Sequence, residues 1–237
     1  MPTQDIEYTA DGATLVGRLF QADGKANGAS VLVAHEGPGL SDHTYTIAGR
    51  LADLGYVAFA LDYHGGGQAV EMDVARSRIG AWLADPTGIR ARATAALAVL
   101  TAQAGVDPAR VAGIGYCFGG TTVLELARSG ADLAAVVGFH SGLGTARPQD
   151  AVNIKGKVLT LIGTADPLIP PEQRVAFEAE MSAAKVDWQM HLYGGVAHSF
   201  TNPEADGSRM PGILYDAGAD RRSWREMLAL FAETIDR

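Results

Sequence analysis

The sequence predicts an α/β protein: three layers, α/β/α, around a mostly parallel sheet of about eight strands, with an antiparallel hairpin at its N-terminal end. Two observations predict it. Short apolar runs alternate with longer helical patterns along the chain. Those runs are too apolar for a sheet wet on one face, so helices must cover both. At 237 residues, 47% of them hydrophobic, the chain is long enough for one sizeable core, and a single domain over 1–237 is expected.

The elements follow in order. Ile6–Ala10 and Thr14–Phe20 alternate like strands, with Asp11-Gly12 as the turn of a hairpin at a sheet edge. Ala29–Ala34 reads as a buried strand and ends in His35-Glu36-Gly37-Pro38-Gly39, a loop too rich in glycine and proline to continue. Ser41-Asp42 caps a helix over about Thr44–Leu54, which Gly55 stops. Tyr56–Leu61 is the next strand. The pattern over 70–86 is mixed, and a short amphipathic helix lying across the top as a lid is expected there. Ile89–Ala104 is a clear helix. Strands are predicted at Ala134–Phe139, Val158–Ile162 and Trp188–Leu192, and helices at about Glu172–Ala183 and Asp220–Ile235.

The chemistry points to Val111–Gly120. An apolar strand runs into Gly115-Tyr116-Cys117-Phe118-Gly119-Gly120, and a helical pattern follows. Gly115-x-Cys117-x-Gly119 has the form of a nucleophile elbow with sulfur in place of a serine oxygen. A side chain at either glycine would strike neighbouring backbone, and the helix beginning there aims its positive end at the sulfur. A dinucleotide fingerprint fits less well: the last glycine falls one place late, and no acidic residue follows the next strand.

In such sheets chemistry gathers at the carboxyl ends of the strands. Asp166 is the only carboxylate just after Val158–Ile162, and His198 the only histidine in the loop after the last strand. Their order, Cys117, Asp166, His198, is nucleophile, acid, histidine. The oxyanion donors expected are the N–H groups of Phe118 and Gly37. Glu36 shares the Gly37 loop, close to where the sulfur must lie. His35, His64 and His140 follow strands and are candidates, with Tyr116 and Asn202, for substrate contact. No His/Asp/Glu cluster has ligand spacing, so no metal is expected.

These residues resemble the dienelactone hydrolase family of the α/β-hydrolase superfamily. The resemblance rests on Gly113–Gly120, Asp166, Ala197-His198-Ser199-Phe200 and Glu36, and spans nearly the whole sequence. It implies a Cys–His–Asp triad working without cofactor, and a Glu36 that engages the resting thiol. Family members that cleave dienelactone hold its carboxylate with arginines, one of them four places after the triad histidine, where this chain has Asn202. The reading is a hydrolase of small esters or lactones with a cysteine nucleophile. Alternatives are a thioesterase or other acyl hydrolase with the same triad, and a non-catalytic fold whose thiol senses redox state.

Bulk properties set the setting. The formal net charge of −8 argues against nucleic acid and anionic membranes as partners. No apolar run reaches bilayer-spanning length, the start lacks the basic and apolar parts of a signal peptide, and one cysteine excludes an internal disulfide. A cytoplasmic monomer or homodimer acting on a small molecule is expected.

Overall fold

The computed structural model describes residues 2–21, 27–208 and 210–236. β1 (Thr3–Ala10) and β2 (Ala13–Phe20) pair antiparallel, with Thr3 opposite Phe20 and Ala10 opposite Ala13. Asp11 and Gly12 turn the chain with φ of 51° and 68°, a conformation that glycine adopts freely and aspartate tolerates. β3 (Ser30–Ala34), β4 (Val57–Leu61), β5 (Val111–Tyr116), β6 (Ala135–Phe139), β7 (Lys157–Gly163) and β8 (Trp188–Tyr193) run parallel to one another. The eight form one sheet in the order β1-β2-β4-β3-β5-β6-β7-β8.

Among the described residues six α-helices complete the layers: α1 (Asp42–Asp53), α2 (Met72–Ala84), α3 (Thr87–Thr101), α4 (Phe118–Arg128), α5 (Pro171–Ala183) and α6 (Ala217–Thr234). Every residue of β3, β4, β5 and β6 is buried, as strands covered on both faces must be. Alternate residues feed two cores. Leu32, Phe59, Leu61, Val123 and Val136 lie in one; Val31, Val33, Ile114, Val137 and Leu161 lie in the other. Ser41 caps α1 as expected, its hydroxyl accepting from the Thr44 N–H.

Register places the site. Ala34 stands beside Gly115, Tyr116 beside Phe139, Phe139 beside Leu161, and Gly163 beside Tyr193. The central strands therefore end level, and the loops that follow β3, β5, β6, β7 and β8 leave the sheet along one edge.

Two features lie outside the sequence expectation. Pro148–Asn153 forms a short 3-10 helix. The segment around Gly212–Leu214 returns to brace the histidine loop: His198 N–H donates to the Gly212 carbonyl at 2.9 Å, and Leu214 N–H to the His198 carbonyl at 3.0 Å. The expected helix over 70–86 is present as α2. It buries only Ala75 and Trp82 and leaves Met72, Val74 and Leu83 exposed, so its apolar face is narrower than the pattern suggested.

Candidate active site

Cys117 occupies the bend between β5 and α4 at φ 54° and ψ −122°. A non-glycine residue avoids that region unless its surroundings force it there. The force is visible at the two glycines. A Cβ on Gly115 would stand 2.1 Å from the Gly119 carbonyl carbon, and one on Gly119 would stand 2.2 Å from the Ala34 carbonyl oxygen. Both contacts are with backbone, which cannot swing aside. The bend thus presses β5, α4 and β3 together and holds a half-buried sulfur above the strand end.

Asp166 and His198 reach this corner from the loops that follow β7 and β8. His198 Nδ1 donates to Asp166 Oδ2 at 2.7 Å, with the two side chains 3% and 0% exposed. Asp166 Oδ1 accepts from the Leu168 N–H at 2.8 Å, which fixes the carboxylate plane. The bond to Asp166 leaves the buried His198 Nε2 as the nitrogen that faces the Cys117 sulfur. Burial alone would push the His198 imidazole down. The neighbouring Cys117 sulfur, through charge and hydrogen bonding, and the Asp166 carboxylate outweigh it and hold the pKa at about 10.

The loop after β3 is fixed through its carbonyls. The Glu36 carbonyl accepts from His35 Nδ1 at 2.6 Å, from the Tyr63 hydroxyl at 2.8 Å and from the Gly39 N–H at 3.2 Å. Gly37's carbonyl accepts from His64 Nε2 at 2.7 Å. A trans peptide points its C=O and N–H in opposite directions, so the Gly37 N–H is turned away from the side that His35 and Tyr63 occupy. Neither that N–H nor the Phe118 N–H, the first of α4, has an acceptor among the described residues. α2 packs against this loop: a Cβ on Gly37 would stand 3.3 Å from Ile79 Cδ1, and Trp82 stacks on Phe118 at 5.9 Å.

Glu36 is held by the histidine loop. Oε1 accepts from the Ser199 hydroxyl at 3.2 Å and Oε2 from Asn202 Nδ2 at 2.9 Å, with His43 Nδ1 3.5 Å away. Burial would raise this carboxyl, but His43 and the Asn202 amide outweigh it and bring its pKa down to about 2. The expected bond between Glu36 and the resting thiol is absent among the described residues, because both carboxylate oxygens are turned to Ser199 and Asn202.

The five candidates for substrate contact are placed as follows. His35 is fully buried with Nδ1 bonded to the Glu36 carbonyl, and burial takes its pKa down to about 3. His64 is buried against the Gly37 carbonyl. His140 is buried between Cys117 and Thr201. Tyr116, the last residue of β5, is buried and stacks on Phe139 at 4.6 Å. The Asn202 amide is spent on Glu36 and, through Oδ1, on the Glu204 N–H. His35, His64 and His140 bond to the site's backbone and Asn202 to its charged group, while Tyr116 makes ring contacts. His43, the second residue of α1, belongs to the Glu36 cluster, and nothing in the local sequence marks it. Among the described residues no group of His, Cys, Asp or Glu has the arrangement of a metal site.

The family model for the dienelactone hydrolase family matches residues 15–235. The chain belongs to the dienelactone hydrolase family. It is accordingly a hydrolase of the lactone or ester type, with a small molecule as its substrate. The chain is similar to the solved structure of the protein m3DLH, at 44% identity and a TM-score of 0.94, covering 99% of this chain and 98% of that one. It is also similar to a dienelactone hydrolase-like promiscuous phosphotriesterase from metagenomic libraries, at 42% identity and a TM-score of 0.92, covering 98% of both chains. An uncharacterised Caenorhabditis elegans protein is 33% identical over 152 residues, which are 62% of this chain and 94% of that protein.

Proposed function

We propose that this chain, working as one domain, hydrolyses small esters or lactones through a Cys117–His198–Asp166 triad without a cofactor. The observation that carries the reading is the placing of His198: its Nδ1 is locked on Asp166, and the charge of its ring responds to the Cys117 sulfur. His198 holds the proton it shares with the Cys117 sulfur, and the sulfur forms a bond to the substrate carbonyl carbon while the carbonyl π electrons move to oxygen. The Gly37 and Phe118 N–H groups, both free to donate, receive that oxyanion; such a donor is typically worth about 3 kcal/mol. Collapse breaks the bond to the leaving oxygen, which takes the proton from His198. Water, deprotonated by the same imidazole, then attacks the thioester and releases acid and thiol.

Thiolate is itself the better leaving group in the first intermediate when the competitor is a plain alkoxide. Enol, phenol and other stabilised leaving groups are therefore favoured, which suits enol lactones and aryl esters better than amides. Asn202 offers no cation to a substrate carboxylate, so neutral substrates are favoured over dienelactone itself. The likeness to a promiscuous phosphotriesterase adds a neutral aryl phosphotriester to the panel that should be assayed.

The test is hydrolysis of p-nitrophenyl acetate by the parent, Cys117→Ala and His198→Ala. Loss of turnover by at least about 1,000-fold in both variants is expected, as for nucleophile and base removal elsewhere. Undiminished turnover in either would remove the triad. A chain that binds no ester but is oxidised reversibly at Cys117 by mild peroxide would favour the redox-sensing alternative.

A further inference from the structure

The histidine at the end of β6 is used by neither nucleophile, base nor oxyanion donor, yet it touches the first two. His140 is fully buried and sits at φ 40°, a strained position for any side chain with a Cβ. Its Nδ1 accepts a hydrogen bond from the Cys117 N–H at 3.1 Å. Its Nε2 therefore carries the proton and donates to the Thr201 hydroxyl at 2.8 Å. Its ring lies edge-on to His198 with centroids 5.0 Å apart. Thr201 is three residues past His198 on the same loop, is itself buried, and gives its carbonyl to His43 Nε2 at 3.1 Å.

We propose that His140 and Thr201 are positioning residues: a neutral Nε2–H imidazole ties the Cys117 backbone to the loop that carries His198 and so sets the sulfur–imidazole geometry. This rests on the triad reading above. The chemistry of the link explains the residue types. The Cys117 N–H, shared with the Phe139 carbonyl at 3.0 Å, finds a second acceptor in the ring, and the Thr201 hydroxyl, on the other side, takes a donor. A neutral imidazole presents one of each across a rigid ring. A second proton on His140 would set its Nδ1–H against the Cys117 N–H and a cation against His198. Burial, and next the charge of His198, keep the His140 imidazole far below its ordinary range, so that proton is refused. The clasp is continued by Glu36, whose carboxylate holds Ser199 and Asn202 on either side of Thr201. Ser199 is also strained, at φ 55°. Both ends of the histidine loop are thus tied to the two loops that supply sulfur and oxyanion donors.

The test uses Thr201→Val, which keeps the shape and removes the acceptor, beside Thr201→Ser, which restores it. With p-nitrophenyl acetate, Thr201→Val should lower kcat by about 10-fold to 100-fold, as small misplacements of reacting groups do, with KM within about twofold of the parent. Thr201→Ser should recover most of kcat. Should Thr201→Val fail to fold, nitrogen NMR of the parent labelled at histidine decides instead: His140 must show a bare Nδ1 and a protonated Nε2. A parental kcat in Thr201→Val, an equal loss in Thr201→Ser, or a protonated Nδ1 on His140 would each overturn the clasp. Parental activity in Thr201→Val together with an inactive Cys117→Ala would discard the clasp and leave the triad standing.

Discussion

Glu36 keeps a negative charge where burial opposes one, and the groups that allow it are the ones that hold the histidine loop. Its carboxyl is held at about 2 against an ordinary 4.5. The stability it contributes is therefore fully present above about pH 4.5 and is lost as the pH falls through about 2. Urea unfolding of the parent should weaken steadily from pH 4.5 downward, and Glu36→Gln should flatten that limb. Equal acid limbs in the two proteins would mean that the carboxylate is not paired as described. His198 runs the other way. Its pKa rises from 6.5 to about 10, so its contribution is present below pH 6.5 and lost as the pH climbs through about 10. Cys117→Ala removes the sulfur responsible and should flatten the alkaline limb.

At the scale of elements, α2 has little to hold it. Only Ala75 and Trp82 are buried, and Trp82 reaches Phe118, Tyr63 and His64 with ring centroids 5.9, 5.8 and 5.6 Å away. Trp82 thus anchors the helix that covers the Gly37 loop. Trp82→Ala should cost about 3 kcal/mol, at the low end for a core tryptophan, and open 72–84 to protease before the rest of the chain. Cleavage that begins elsewhere, with α2 intact, would show the anchor to be misplaced. The strands were legible because their apolar runs are short and their order regular; the elbow was legible because glycines must flank it. α2 was readable only as a helix, since the face it buries is set by Phe118 and Tyr63 from other parts of the chain. The roles of His140, Asn202 and His43 were not readable. His140 reaches Cys117 across 23 residues of sequence, His43 reaches Thr201 across 158 and Asn202 reaches Glu36 across 166, and a histidine after a strand looks the same whether it lines a mouth or braces a backbone.

For the whole molecule, the sheet is a device for bringing three distant residues to one edge. Level strand ends put Cys117, Asp166 and His198 within one corner, and a charged lattice behind α4 keeps that corner still. Arg128, fully buried, binds Glu125, Glu180 and the Leu143 carbonyl, while Arg90 joins Glu125 to Asp150. These links tie α3, α4 and α5 across one face of the sheet. The fold's purpose in this account is a sulfur that becomes acylated and is then freed by the neighbouring imidazole. The most direct measurement is mass spectrometry of the parent and His198→Ala, quenched in acid during turnover of p-nitrophenyl acetate. The account predicts an acetyl group on the peptide containing Cys117, with a longer-lived adduct in any His198→Ala that still acylates. Steady hydrolysis by the parent with the Cys117 peptide unmodified at every time point, and equal hydrolysis by Cys117→Ala, would contradict it.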